Sequence, residues 1–315
     1  MEVNIIDGNF ICDRYRKLLR RNFGKDVGDK LELHPVEVGY LLLKGIVTLK
    51  DGDKTISFAE FIEKFSEKEG FLPYFFVYCD LRDRGRKAAP VENYIVANNI
   101  YLPVSERKKV FLKDLNEFFD EHGAFILAVV DEESEITYYR VYKPKMAGKT
   151  KGIDKKIEGY FAGDRVLTDD LEIFSRFFFG SEKDGMVALS ILESLYMIEE
   201  GILTLNLSLN EFRAKAEAIE SNFLERYEVY RDLREKGLVV KTGFKFGADF
   251  RVYEEIEDVS QLPHSKYLVS IVSNDGLNLQ DISRAVRLAH SVRKKMVFTF
   301  KDGGWTYLCL ERVKV

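Results

Sequence analysis

The sequence predicts an α+β fold used twice in tandem, each copy with a helical N-terminal half and a strand-rich C-terminal half. Three observations carry this: an ordered internal repeat, a helix-start signal at the same place in both copies, and β-type runs confined to the end of each copy. The first copy spans 1–148 and the second 149–315, the latter dividing into a helical part, 149–240, and a strand-rich part, 241–315.

The repeat is read directly. Glu37-Val-Gly-Tyr40 and Gly45-Ile-Val-Thr-Leu49 return as Glu193-Ser-Leu-Tyr196 and Gly201-Ile-Leu-Thr-Leu205 at an offset of 156, which also aligns Asn22-Phe23-Gly24 with Phe178-Phe179-Gly180. Ser57-Phe-Ala-Glu-Phe61 returns as Ser208-Leu-Asn-Glu-Phe212 at offset 151, and Val77 to Gly85 as Val229 to Gly237 at 152. Leu102-Pro103-Val104-Ser105 matches Leu262-Pro263-His264-Ser265 at 160. The order holds and the drift is the size of loop insertions, so the chain is a duplication. Its seam falls in the Gly/Lys-rich linker 147–152, which includes Lys151.

Taken in order, each copy opens with short apolar stretches. A helix with Gly past its end follows, Val36 to Lys44 and Val187 to Glu200. A longer helical region comes next, Ser57 to Arg84 and Ser208 to Lys236, opened in both copies by a Ser-x-x-Glu capping box and stopped by Gly85 or Gly237. Gly70 and Pro73 split the first of these. Strands are expected at Phe125–Val130, Ile136–Tyr139, Phe250–Tyr253, Tyr267–Val272 and Met296–Phe300. Between the last two, Ile282, Ala285, Val286, Ala289, Val292 and Met296 recur at helical spacing, so Leu279 to Lys295 reads as a helix presenting Arg287 and Lys294 from another face.

At 315 residues the chain suits two domains of ~150 residues, and 46% hydrophobic with 32% charged residues excludes a disordered chain. No apolar run approaches the ~20 residues of a membrane span, and Met1-Glu2-Val3-Asn4 does not open a signal peptide, so a soluble, cytoplasmic protein is expected. Cys12, Cys79 and Cys309 form no paired framework and fit a reducing compartment. Gln261 and Gln280 are the only glutamines, a composition that hints at a heat-loving source.

Formal charge is −4, but residues 284–315 hold eight Lys/Arg against Asp302 and Glu311, a net +6, which leaves −10 on the rest. A basic C-terminal segment on an acidic body points to a directed anion site.

Divergence between the copies locates the chemistry. Val104 stands where the tetrapeptide match places His264, and Phe118-Phe119-Asp120-Glu121-His122 replaces the basic helix. The first copy carries Asp131-Glu132-Glu133-Ser134-Glu135 where the second has Lys301-Asp302-Gly303-Gly304. What remains in the second copy is Tyr253, His264 and Lys294. Metal-free RNA cleavage needs a base for the 2′-hydroxyl, an acid for the leaving 5′-oxygen and a cation for the crowded phosphorane. His supplies an acid near neutral pH and Lys a fixed charge, whereas a phenol, with a reference pKa of ~10, is a poor base unless cations lie near.

Three blocks carry a family resemblance: Gly243-Phe-Lys-Phe-Gly-Ala-Asp-Phe-Arg-Val-Tyr253, His264-Ser-Lys-Tyr-Leu-Val269 and Arg284-Ala-Val-Arg-Leu-Ala-His-Ser-Val-Arg-Lys-Lys295. In sequence and order they resemble the catalytic-domain signature of archaeal tRNA-splicing endonucleases, and the duplication matches the two-repeat, homodimeric class. The resemblance implies a nuclease-like mixed sheet in the second copy, with Tyr253 as general base, His264 as general acid and Lys294 as transition-state stabiliser. It implies that Arg287 and Arg312 sandwich an unpaired base, a task suited to planar guanidinium groups. It further implies that the acidic loop, Asp131, Glu132, Glu133 and Glu135, docks on a partner subunit. The expected partner is precursor tRNA in a bulge-helix-bulge form, cut at both intron–exon junctions to leave 2′,3′-cyclic phosphate and 5′-hydroxyl ends, with no metal, cofactor or membrane.

Each residue also has a structural reading: His264 as a hydrogen-bonded histidine, Tyr253 as a sheet aromatic, Lys294 as a solvated helix end, Arg312 as an edge-strand charge and the acidic loop as a solvated hairpin tip. The rival for the whole chain is a non-catalytic RNA-binding or assembly subunit, against which the complete triad argues. Gly148-Lys149-Thr150 ends like a phosphate loop, but position 143 is Lys143, not Gly. Asp249 and Glu254 flank Tyr253 without a further acidic ligand placed by sequence, which speaks against a metal-dependent nuclease.

Overall fold

The computed structural model describes residues 1–13, 15–150, 152–273 and 276–315, so Lys151 of the expected linker lies outside the described residues. The chain forms two compact units. One comprises Met1–Tyr142 with Asp275–Arg284 and Leu310–Val315; the other comprises Lys143–Asn274 with Ala285–Cys309.

The N-terminal half of each repeat has the same plan. In the first, strand Glu2–Ile6 pairs antiparallel with Asn9–Cys12 and parallel with Thr48–Asp51, across helix Pro35–Leu43. In the second, Ile157–Phe161 pairs antiparallel with Arg165–Thr168 and parallel with Leu203–Leu205, across helix Ile191–Glu199. These sheets, of six and five strands, go beyond the helical halves that the sequence predicts. Val187 to Ser190, expected as helix, closes strand Met186–Ser190. The helix begins only after Ser190, whose hydroxyl accepts the Glu193 N–H at 3.2 Å.

Both Ser-x-x-Glu sequences form capping boxes. Ser57 and Ser208 accept from the N–H of Glu60 and Glu211, and each Glu carboxylate accepts the serine N–H in return. The long helical regions are both split, into Phe58–Ser66 and Phe71–Asp83 in one copy and Leu209–Ile219 and Phe223–Glu235 in the other. Gly70 makes the first break with a left-handed backbone (φ 79°); Pro73 sits inside the first turn of the next helix, where its missing N–H has no partner to lose.

The strand-rich halves share one topology. In the first repeat the strands neighbour each other in the order Ala89–Val91, Tyr94–Val96, Ile100–Ser105, Phe125–Val130, Ile136–Tyr142. In the second the order is Val239–Thr242, Phe250–Tyr253, Tyr267–Ile271, Lys295–Lys301, Trp305–Val313. The third and fourth strands are parallel in both, joined by a crossover helix, Leu112–His122 or Leu279–Ser291. The result is an α+β chain with a duplicated unit.

Register corrects one sequence match. Ile95 pairs with Tyr101 and Tyr101 with Ile126; Val252 pairs with Tyr267 and Tyr267 with Lys295. Tyr101 therefore corresponds to Tyr267, and Val96 to Tyr253. Leu102 to Ser105 lie inside a strand, whereas Leu262 to Ser265 precede one, so Val104 is not the counterpart of His264. His264 lies in a connection of thirteen residues, 254–266, where the first repeat has three, 97–99.

Candidate active site

Tyr253, His264 and Lys294 all belong to the second unit. Tyr253 is the last residue of strand Phe250–Tyr253, His264 stands three residues ahead of strand Tyr267–Ile271, and Lys294 immediately precedes strand Lys295–Lys301. The middle strand runs antiparallel to the first and parallel to the third, which brings these three chain positions to one end of three neighbouring strands. Tyr253 and Lys294 flank the middle strand, at a backbone separation of about 10 Å for two strand spacings.

Hydrogen bonds tie this end together. Lys266 donates its N–H to Val252 O at 2.9 Å, one residue off the Val252–Tyr267 register, an offset of the kind a β-bulge makes beside functional sites. Lys295 donates its N–H to Lys266 O at 3.0 Å, and the Lys294 ammonium donates to Ser265 O at 3.3 Å, the carbonyl next to His264.

Lys294 is not the helix residue that the sequence predicts. The helix ends at Ser291; Arg293 adopts φ 57°, its N–H donates to His290 O at 3.0 Å, and the Lys294 N–H donates to Ala289 O at 2.8 Å. That is a Schellman stop with arginine in the left-handed position. Gly45, Gly85, Gly201 and Gly237 fill the same position elsewhere in the chain. Lys294 thus sits in the turn between helix and strand, off the helix face that carries Arg287. It is half-buried, its ammonium lies 5.4 Å from the Phe246 ring, and burial, then the Arg251 charge, hold its pKa below the ordinary lysine value.

Tyr253 has a buried ring (4% exposed) whose hydroxyl makes no hydrogen bond to a described residue yet keeps contact with solvent. The Phe178 ring meets it edge-on, with centroids 6.0 Å apart and planes at 87°, and the Arg251 guanidinium lies 6.0 Å from its centre. His264 is exposed, and its imidazole makes no hydrogen bond or ion pair to a described residue. The arrangement offers a fixed phenol, an accessible imidazole and a partly desolvated ammonium, which are the parts that metal-free phosphodiester cleavage uses.

The flanking acids are engaged elsewhere. Asp249 accepts the Ile271 N–H at 2.9 Å and pairs with Arg226 at 3.3 Å; Glu254 pairs with Lys266 at 2.6 Å. The linker that resembles the end of a phosphate loop is a backbone clasp. Gly148 donates its N–H to Lys236 O (2.9 Å), Lys149 to Glu254 O (3.0 Å) and Thr150 to Gly237 O (2.9 Å), so it holds the residue after Tyr253. Sequence reasoning missed this clasp, as it missed Phe178, Lys241 and Arg251. Only the Asn22/Phe178 difference in the repeat alignment was available as a signal.

Arg287 is exposed on helix Leu279–Ser291, and Arg312 is exposed near the end of strand Trp305–Val313. The acidic loop is the hairpin turn between Phe125–Val130 and Ile136–Tyr142 in the first unit. There the Asp131 carboxylate accepts the N–H groups of Glu133 (3.0 Å) and Glu135 (2.9 Å), and Glu132 pairs with Arg107 at 2.9 Å. The Glu133 and Glu135 side chains are exposed, and their carboxylates make no hydrogen bond or ion pair to a described residue. Among the described residues, no helix is long and apolar enough to cross a membrane.

Comparison with known proteins agrees with this layout. Residues 223–307 match the tRNA intron endonuclease catalytic C-terminal domain, and residues 12–62 and 157–213 each match the corresponding N-terminal domain, one per repeat. The tRNA-splicing endonuclease of Methanosarcina mazei is 37% identical over 93% of this chain and 92% of its own length. That of Methanosarcina barkeri is 38% identical over 93% of both chains, and that of Natronomonas pharaonis 35% identical over 90% of this chain and 89% of its own. With a duplicated fold, matching domains in both repeats and relatives similar along nearly their whole length, the chain belongs to the tRNA-splicing endonuclease family.

Proposed function

We propose that this protein cuts precursor tRNA at both intron–exon junctions, presented as a bulge-helix-bulge, and that residues 149–315 carry the chemistry while 1–148 form a structural repeat. The observation that carries the reading is the convergence of Tyr253, the His264 segment and Lys294 at one end of three adjacent strands.

In this mechanism Tyr253 takes the proton from the 2′-hydroxyl as its oxygen attacks the adjacent phosphorus. Lys294 stabilises the charge that builds on the non-bridging oxygens, and His264 gives a proton to the departing 5′-oxygen. The bond formed is 2′-O to phosphorus and the bond broken is phosphorus to 5′-O. The products are therefore a 2′,3′-cyclic phosphate and a 5′-hydroxyl, with no metal or cofactor in the step. Arg287 and Arg312 grip an unpaired base of the bulge between guanidinium planes. The working assembly is a cytoplasmic homodimer, so that two sites meet two bulges, and the acidic turn at Asp131, Glu132, Glu133 and Glu135 docks on the second subunit.

The test is cleavage of a synthetic bulge-helix-bulge RNA in EDTA by wild type beside His264→Ala, with the product ends analysed. Cyclic-phosphate ends and a ~100- to 10,000-fold rate loss in the variant are expected. Cleavage that returns only with added magnesium overturns the mechanism, and RNA binding without cleavage by folded wild type favours a scaffold subunit instead.

A further inference from the structure

We propose that Phe178 is a positioning residue for Tyr253, held against it by a buried Glu193–Lys241 ion pair that the first repeat does not have. The inference rests on the reading of Tyr253 as the general base.

The first observation is conformational. Asn22 and Phe178 stand at the same place in the two repeats and share a left-handed backbone, φ 61° and 57°, each two residues ahead of a left-handed glycine, Gly24 or Gly180. Asparagine suits that conformation; a bulky aromatic does not, and it persists there only where its surroundings demand it. The second repeat keeps phenylalanine at a position where its own twin uses a residue without strain.

The second observation is what the ring touches. Phe178, Tyr253 and Val239 form a small hydrophobic cluster of their own, edged by Phe174, Ile256 and Val259. The Phe178 and Tyr253 rings form a T-shaped pair, with centroids 6.0 Å apart and planes at 87°. A phenol held on one side by a perpendicular ring loses rotational freedom, and a base must be fixed relative to the proton it removes.

The third observation is what holds Phe178. The Lys241 ammonium donates to Phe178 O at 3.3 Å, Gly180 O at 2.6 Å and the Glu193 carboxylate at 2.8 Å, and it lies 5.0 Å from the Phe178 ring. Both side chains of the pair are buried, at 10% and 7% exposure. One lysine therefore fixes both the backbone and the ring of the strained residue.

The first repeat supplies the control. Glu37, the counterpart of Glu193, still accepts the N–H groups of Gly24 (2.8 Å) and His34 (2.9 Å), so the acid belongs to the shared fold. Strand register places Val91 where the second repeat has Lys241, and Val96 where it has Tyr253. The lysine, the strained aromatic and the tyrosine are present together in one copy and absent together from the other.

The experiment is single-turnover cleavage of a bulge-helix-bulge RNA by the full chain carrying Phe178→Leu, Phe178→Tyr, Tyr253→Phe or Phe178→Leu with Tyr253→Phe, each first checked by thermal unfolding. Phe178→Met is the second ring removal if the leucine variant folds poorly. Ring removal is expected to lower kcat roughly ten- to a hundredfold with KM within about twofold, and Phe178→Tyr, which keeps the ring, to restore most of the rate. In the Tyr253→Phe background the same removal is expected to add less than about threefold, because the two residues act as one unit. Losses that multiply, or a wild-type rate in the folded Phe178→Leu variant beside a crippled Tyr253→Phe, overturn the proposal alone. A wild-type rate in Tyr253→Phe removes the catalytic reading of that tyrosine and this proposal with it.

Discussion

Glu37 and Glu193 occupy the same N3 position of equivalent helices and accept equivalent backbone N–H groups, yet their carboxyl pKa values move in opposite directions. Burial raises that of Glu37 and outweighs the N–H bonds from Gly24 and His34 and the Arg82 charge. Burial also opposes ionisation of Glu193, but the Lys241 charge and hydrogen bond, with the N–H groups of Ser190 and Gly180, hold it below the usual value. The two carboxyls face different cations, Arg82 beside Glu37 and a directly hydrogen-bonded Lys241 beside Glu193, and only the lysine overcomes burial.

That asymmetry sets a pH dependence. A carboxylate whose folded pKa is depressed stabilises the fold above its unfolded value and loses that contribution as pH falls through the folded one. Lys241→Met strands a buried charge and is expected to destabilise by about 3–5 kcal/mol at neutral pH. The deficit is expected to shrink at acid pH, because burial without the lysine favours the protonated form of Glu193. Urea unfolding at both pH values measures this; an equal deficit at the two would show that the pair contributes no differential charge energy.

Lys294 gives a second titration, in the rate rather than in stability. Burial first, then Arg251, depress its pKa, so it sheds its proton at a lower pH than an ordinary lysine. The charged form is the one proposed to act, and the alkaline limb of kcat is expected below the ~10.4 of a free lysine. Arg251→Gln removes one of the two causes and moves that limb to higher pH. A limb that stays in place would mean that a group other than Lys294 sets it.

Much of the fold was legible because it is encoded by residue type at fixed spacing. Ser57/Glu60 and Ser208/Glu211 announce capping boxes by chemistry, and strand Phe125–Val130 is a plain apolar run. The sequence predicts the helix after Leu279 four residues too long because its stop is Arg293, and an arginine at φ 57° leaves no mark in the sequence. Strands of two to five residues at the front of each repeat fall below any useful periodicity. Leu-Pro-x-Ser misleads because three identities in four residues bridge connections of unequal length. In the candidate site, Tyr253, His264 and Lys294 stand out by their chemistry. Phe178 does not, since a phenylalanine among apolar neighbours reads as ordinary core until its backbone angle and its ring partner are known.

The clasp at Gly148 makes a steric prediction. A Cβ there would lie 2.1 Å from Gly237 O and 2.7 Å from Glu254 O, both backbone atoms with no side chain to swing away. Gly148→Ala is expected to destabilise by roughly 1–3 kcal/mol and to slow cleavage, since the displaced Glu254 adjoins Tyr253. Gly152→Ala, with nothing within 4 Å, is the matched control. Unfolding that leaves the two variants within about 0.5 kcal/mol of each other would mean that the linker yields without strain.

The acidic turn separates into parts with different jobs. Asp131 holds the loop through two backbone N–H groups, Ser134 takes the left-handed φ of 64°, and Glu132 is engaged by Arg107. Only Glu133 and Glu135 of the four acids present carboxylates with no partner among the described residues. If the turn docks on a cationic surface of a second subunit, those two carry the attraction. Glu133→Lys with Glu135→Lys is then expected to weaken dimerisation at least tenfold, about 1.4 kcal/mol. Both residues are exposed, so the thermal stability of the protomer should stay within about 0.5 kcal/mol. Wild-type association should also weaken as salt rises, because exposed charges across an interface are screened. Sedimentation of wild type and variant over a range of salt concentrations reads both effects. A dimer indifferent to charge reversal would place the interface elsewhere on the molecule and leave the turn as a solvated hairpin tip.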